Sequence, residues 1–165
     1  MGKRAVPINF ENAKIMFKNF EGREGRYNRK GDRNFVIVFD DVETARKLKD
    51  DGWNIRFTEP REEGDKPFMS LQVAVSFRSF PSIPPAEIFV YTKRARRRLT
   101  EDTVAELDFM EIGNVDLTIR PRFWLDDAGN EHVKAYLKEM HVTPVESPWS
   151  DKYAEYESPS EIPFD

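Results

Sequence analysis

The sequence contains no cysteine. That absence excludes disulfides, thiolate catalysis and any cysteine-ligated zinc or iron–sulfur centre. No apolar run approaches the roughly 20 residues a membrane helix needs, so no membrane span is expected. The opening MGKRAVPINF is slightly basic but has no apolar h-region, so no secretory signal is expected either, and a cytoplasmic location fits. There is no glycine-rich phosphate loop, no GxSxG and no HExxH. The two histidines, His132 and His141, lie nine apart in one expected strand. An odd offset sends strand side chains to opposite faces, which argues against a shared metal. A carboxylate–metal nuclease built on Asp116, Glu131 and Lys134 meets the same objection, because Glu131 and Lys134 are also an odd offset apart. The reading is of a non-enzyme with no catalytic site, cofactor or metal.

What is present is a chain of 165 residues, enough for one good-sized core. Hydrophobic residues make up 39% and aromatic residues 13%, which suits a folded domain, while 34% charged residues imply a very polar surface. The net charge of −4 conceals an asymmetry: residues 146–165 hold six acids and one base, leaving 25 bases against 24 acids in residues 1–145. Within that body, residues 1–35 carry nine bases and four acids. The division expected is a domain over 1–145 and a disordered acidic tail over 146–165.

The body reads as about seven strands and two short helices. Asn12–Phe20 alternates, with Ala13, Ile15 and Phe17 on one side and Lys14, Met16, Lys18 and Phe20 on the other. A basic, glycine-punctuated loop (GREGRYNRKGDR) leads to the apolar strand Asn34–Phe39. Asp41 should cap a helix over Val42, Ala45 and Leu48 that Gly52 closes. Trp53–Thr58, Phe68–Phe77 and Glu87–Thr92 read as strands, and residues 93–98 as a structured basic loop. A second helix should start at Thr100 and end at Gly113-Asn114, with Val104, Leu107 and Met110 inward. Val115–Leu125 and His132–Val142 should pair across the turn DDAGN. This pattern allows an elaborated OB-fold, a five-stranded Greek-key barrel with extra strands. A β-sandwich or another small barrel fits the pattern almost as well.

Single-stranded nucleic acid is held by cations along its phosphates and flat side chains under its bases. Five stretches offer both: Lys14, Lys18 and Phe20; Arg23, Arg26, Tyr27, Arg29, Lys30 and Arg33; Phe89 and Tyr91 leading into Lys93, Arg94, Arg96, Arg97 and Arg98; Arg120 and Arg122 beside Trp124; and Lys134, Tyr136 and Lys138 on one outward face. Any one stretch alone is better explained as a solvated face or core aromatic. The run at 93–98 also suits a localisation signal or a general polyanion patch. Five together in a small β body point to a single-strand binding surface. Stacking platforms do not by themselves discriminate DNA from RNA, and the sequence leaves self-association open.

The tail divides into an acidic spacer, which can compete with polyanions for a cationic groove, and an apolar tip suited either to a partner's pocket or to docking back on its own body. That tip, Glu161, Ile162, Pro163, Phe164 and Asp165, resembles the Asp-Asp-Ile-Pro-Phe ending through which bacterial single-stranded DNA-binding proteins recruit replication and repair partners. It departs from that ending by the added Asp165. The body also resembles phage-encoded single-stranded DNA-binding proteins in GRYNRKGDRNFVIVFDD (25–41), DGWNIRF (51–57) and NVDLTIRPRFW (114–124). The resemblance implies an OB-fold, single-stranded DNA as ligand, no cofactor, and a role in viral replication or recombination. The competing reading is a phage interaction module, an inhibitor or adaptor acting through its tail.

Overall fold

A computed structural model describes residues 5–26, 28–60, 62–78, 84–93 and 95–146. The period-two runs form strands: β1 (Ile8–Phe10), β2 (Lys14–Asn19), β3 (Arg33–Phe39), β4 (Arg56–Thr58), β5 (Phe68–Val75), β6 (Glu87–Tyr91), β7 (Arg96–Leu99), β8 (Ile112–Leu125) and β9 (Glu131–Pro144). β3 lies antiparallel between β2 and β5, β5 runs parallel to β9, and β9 pairs antiparallel with β8. The Ala13 N–H donates to the Val115 carbonyl at 2.8 Å and brings β2 back to β8. Five strands therefore close in the order first, second, third, fifth, fourth, which is the OB barrel. The remaining strands elaborate it. β1 extends β8, β4 extends β5, and the β6–β7 hairpin continues along β9 where β5 leaves off.

The interior collects the inward residues of every barrel strand, among them Phe35, Ile37, Leu71, Val73, Ile119, Leu137 and Met140. The helix α1 (Val42–Asp50) starts as expected: the Asp41 carboxylate accepts the Glu43 N–H and the Thr44 hydroxyl. Those bonds hold the Asp41 carboxyl below its ordinary pKa, the Thr44 bond first. The chain leaves α1 through Gly52 at φ 109°, and Ala45 and Leu48 face the core.

Several expectations change. Trp53 and Ile55 are core residues, but the strand begins only at Arg56 because the Ile55 N–H turns back to the Trp53 carbonyl. The second half of the run at 93–98 is strand: Arg96–Leu99 pairs with β6. The second helix is a single 3₁₀ turn, Val104–Asp108. Side-chain bonds gather at both of its ends. The Thr103 hydroxyl accepts the Thr100 N–H and makes no bond into the helix, while the Lys18 ammonium takes up the Leu107 and Met110 carbonyls at 2.7 and 2.9 Å. Val104 and Leu107 are buried as expected.

Among the described residues, two of the three strand irregularities reverse the side-chain parity that the alternation predicts. β2 carries one extra residue between Met16 and Asn19, which turns Phe17 outward and Phe20 into the core. β9 carries one at Lys138, so His132 and His141 share the outer face instead of opposing one another. They do not share a ligand: His132 meets Asp126 at 2.8 Å, and His141 meets Glu139 at 2.6 Å and the Tyr91 hydroxyl at 2.5 Å.

Candidate nucleic-acid interface

The barrel's outer face carries a cleft of about 760 Å³ over the first half of β3, the end of β5 and the start of β9. Its floor is made by Asn34, Gln72, Ala74 and Tyr136. One wall is the loop of residues 20–32, and the other is Trp124 and the β8–β9 hairpin.

The loop is shaped by side-chain amides. The Asn19 amide oxygen accepts the Gly22 and Arg23 N–H groups, and the Asn28 amide donates to the carbonyls of Arg23, Arg29 and Asp32. The Asn34 amide donates to the Asn28 amide oxygen at 2.7 Å and anchors the loop to β3. Gly22 stands at φ 80°, and a Cβ there would lie 3.0 Å from the Gly31 backbone, so this crossing requires glycine. The folded loop leaves Arg26, Arg29 and Lys30 exposed; Lys30 lines the cleft, while Arg26 and Arg29 line a shallower hollow of the loop itself. Arg33, at the loop's end, lays its guanidinium over the Phe77 ring at 5.7 Å and meets Glu101 at 3.8 Å. Its Nε is buried without a partner.

At the opposite wall Trp124 is 48% exposed and stacks on His132, ring centroids 4.4 Å apart. His132 in turn binds the Asp126 carboxylate, which also accepts the Ala128 and Asn130 N–H groups. These bonds, the His132 contact foremost, hold the Asp126 carboxyl at a pKa of about 2. The turn thus fixes His132, and His132 fixes the indole. Beside it, the Lys134 ammonium sits 5.3 Å over the Tyr136 ring, and Arg122 reaches the Tyr136 hydroxyl at 3.5 Å. Tyr136 is buried and supports these cations from beneath, so it does not offer a free ring. Lys30, Arg33, Arg78 and Lys134 outnumber Asp32 and Glu101 in the lining, which gives the cleft a positive field.

Of the residues expected to bind nucleic acid, the cleft gathers Lys30, Arg33, Trp124, Lys134 and Tyr136. Arg120 and Arg122 stand next to it on β8, opposite Tyr136 and Lys134. Lys138 is exposed at the β9 bulge, and Lys14 is exposed farther along the same outer sheet face. Phe20 is a correction: it is 0% exposed and stacks on Phe35 with centroids 5.4 Å apart. Lys18 is another. It caps the 3₁₀ turn, and burial lowers its pKa while Asp108 opposes that shift. Arg97 points to the other side of β7 from its neighbours and pairs with Glu106. Phe89, Tyr91, Arg96 and Arg98 form a separate face on β6–β7, where Phe89 stacks on His141 and both guanidiniums lie over the Phe89 ring. Lys93 binds Glu146 through its backbone N–H and its ammonium. Tyr27, Arg94 and the tip Glu161–Asp165 lie outside the described residues. Asn28, Asn34, Gln72, Phe77 and Arg78 were not singled out in the sequence; Asn28 and Asn34 lie in or next to the basic loop, but Gln72, Phe77 and Arg78 carry no such signal. Among the described residues no cluster of histidines and carboxylates could hold a metal.

A family model described as "Putative phage ssDNA-binding domain" matches residues 2–162. The chain belongs to that phage family. Its structure is similar to that of the single-stranded DNA-binding protein of bacteriophage Enc34. The C-terminally truncated form gives a TM-score of 0.53 at 13% identity, covering 87% of this chain and 88% of that one. The form with single-stranded DNA bound gives 0.52 at 13% identity, covering 87% and 89%. The form described without truncation gives 0.52 at 12% identity, covering 97% and 90%. At such identities the likeness establishes the shared OB-like fold. No curated protein matches the chain.

Proposed function

We propose that this chain is a sequence-tolerant single-stranded DNA-binding protein that coats exposed strands during phage replication or recombination in the host cytoplasm. The observation that carries the reading is the cationic cleft between the 20–32 loop and the Trp124 hairpin. It occupies the face between the first and last barrel loops, where OB-folds take oligonucleotides. Cations rim it and an exposed indole stands in it, the pair of features single strands require. The Enc34 protein, which shares the fold, has been solved with single-stranded DNA. The role is to bind and protect, without catalysis.

Fluorescence anisotropy with labelled oligo-dT across a salt series tests this reading. The expected log–log slope is about −3 to −4, from about five phosphates at about −0.7 each. No binding at about 50 mM salt, or equal preference for duplex, sinks it and leaves the interaction-module reading.

The body, residues 1–145, does the binding. The acidic residues 146–165 form the tail, whose Ile162-Pro163-Phe164 tip recruits replication or recombination proteins. The tail carries a net charge of −5 and leaves the body where Glu146 is held by Lys93, beside the basic β6–β7 hairpin. Deleting residues 146–165 should therefore tighten oligo-dT binding by removing a tethered polyanion. Weaker or unchanged binding in the same anisotropy assay refutes that competition.

A further inference from the structure

β2 does not run straight. Met16 lies opposite Val36 and Asn19 opposite Asn34, so three steps on β2 match two on β3. The extra residue is accommodated at Phe17, whose φ is 53°. A bulky side chain rarely takes that left-handed backbone, and strain of this kind gathers at functional positions. Bulges re-aim side chains, and this one takes a large aromatic out of the core and leaves it 66% exposed. Phe17 meets Phe68 edge to face, with ring centroids 6.5 Å apart, and Phe68 is itself 38% exposed.

Both rings lie on the outer face of the sheet that floors the cleft. One row across that face reads Lys14, Val38, Ser70, Arg56, and the next reads Met16, Val36, Gln72. The first row has a cation at each end with Val38 and Ser70 between them, and the second sets Met16 and Val36 beside Gln72. Val38 belongs to this outer face and stands outside the main core cluster, yet it is only 8% exposed. Lys14 and Arg56 are exposed and meet no carboxylate among the described residues. Gln72 belongs to both places, since it floors the cleft and closes the second row. From Ala74 in the cleft to Phe68 is six residues of one strand, about 20 Å at about 3.3 Å per residue.

We propose that Phe17 and Phe68 form a second base-stacking subsite for the single strand that fills the cleft, with Lys14 and Arg56 holding its phosphates. The inference rests on the single-strand reading above and deepens it. The occupant is nucleic acid because the patch joins flat π faces to flanking cations, the combination single strands select. It is also continuous with the cleft through Gln72. A strand crossing both places runs along β3 and β5 from Trp124 to Phe17.

The test compares two labelled oligo-dT lengths: about 5 nucleotides, near the lower end of the site sizes one OB-fold takes and expected to settle in the cleft, and about 15, near the upper end. Phe17→Leu and Phe68→Leu keep an apolar side chain and remove the flat ring, while Phe17→Tyr keeps the ring. Each leucine variant should bind the long oligomer about tenfold more weakly and the short one as wild type does. Phe17→Tyr should bind both normally. Wild-type affinity of both leucine variants for the long oligomer overturns the subsite, as does an equal loss on both lengths. If Phe17→Leu loses its thermal transition, Phe68→Leu carries the same comparison. Wild-type protein that binds neither length overturns the single-strand reading itself, and the subsite with it, which separates the two failures.

Discussion

Phe20→Ala should lower the unfolding free energy by about 3–5 kcal/mol, the range for a buried phenylalanine cut to alanine. Phe20 is 0% exposed and stacked at 5.4 Å on Phe35, another fully buried ring. Its backbone is fixed as well, because the Asp108 carboxylate accepts the Phe20 and Glu21 N–H groups at 2.7 and 2.9 Å. The cavity therefore cannot be closed by an easy shift of the strand, and the loss belongs toward the upper part of the range. Urea denaturation measures it. Oligo-dT binding, corrected for the folded fraction, should match wild type, because Phe20 lies under the sheet and not on its outer face. Unchanged stability with lost binding would return Phe20 to the role its sequence context suggested.

That prediction turns on one inserted residue. The alternation from Ala13 to Phe20 is correct for its first half: Ile15 pairs with Ile37 in the interior and Lys14 and Met16 face out. A period of two cannot register a bulge, and each bulge inverts every assignment beyond it. The bulge at Phe17 exchanged Phe17 with Phe20, and the extra residue at Lys138 brought His141 to the face of His132. Neither bulge is marked by a glycine or proline. The hairpin between β8 and β9 was legible because its turn is local: the Asp126 carboxylate and Gly129 at φ 84° build it from five consecutive residues. The barrel's closure was not, since it depends on Ala13 reaching Val115 across about a hundred residues.

The site divides along the same line. Lys30, Arg33, Trp124 and Lys134 were legible because a cation beside an aromatic is visible in a short window. Their convergence was not, because β5 and β9 meet in parallel from distant parts of the chain. Lys18 and Arg97 show the limit of counting charges. Each sits in a basic stretch, yet one serves the carbonyls of Leu107 and Met110 and the other Glu106. A lysine that ties off a helical turn is no longer available to a phosphate, and only the fold shows which lysine that is.

Trp124→Ala should weaken oligo-dT binding by about 1–3 kcal/mol, or about 5- to 150-fold. The indole is 48% exposed in the wall of the cleft and held flat against His132. A base stacking on its free face meets a platform already oriented, so little ordering cost opposes the contact. The salt slope should stay as in wild type, because no phosphate contact is removed. Lys134→Gln provides the contrast: a smaller loss of affinity with the slope reduced by about 0.7. The thermal midpoint of Trp124→Ala should shift little, since the side chain lies near the hairpin tip and the His132–Asp126 contact survives it. Trp53 is buried and Trp149 belongs to the tail, so in protein lacking residues 146–165 the tryptophan quenching caused by oligo-dT should largely disappear with Trp124→Ala. Wild-type affinity in Trp124→Ala would remove the indole from the interface. An affinity loss matched by a comparable drop in the midpoint would make Trp124 a packing residue, and the cleft would then hold its strand by charge alone.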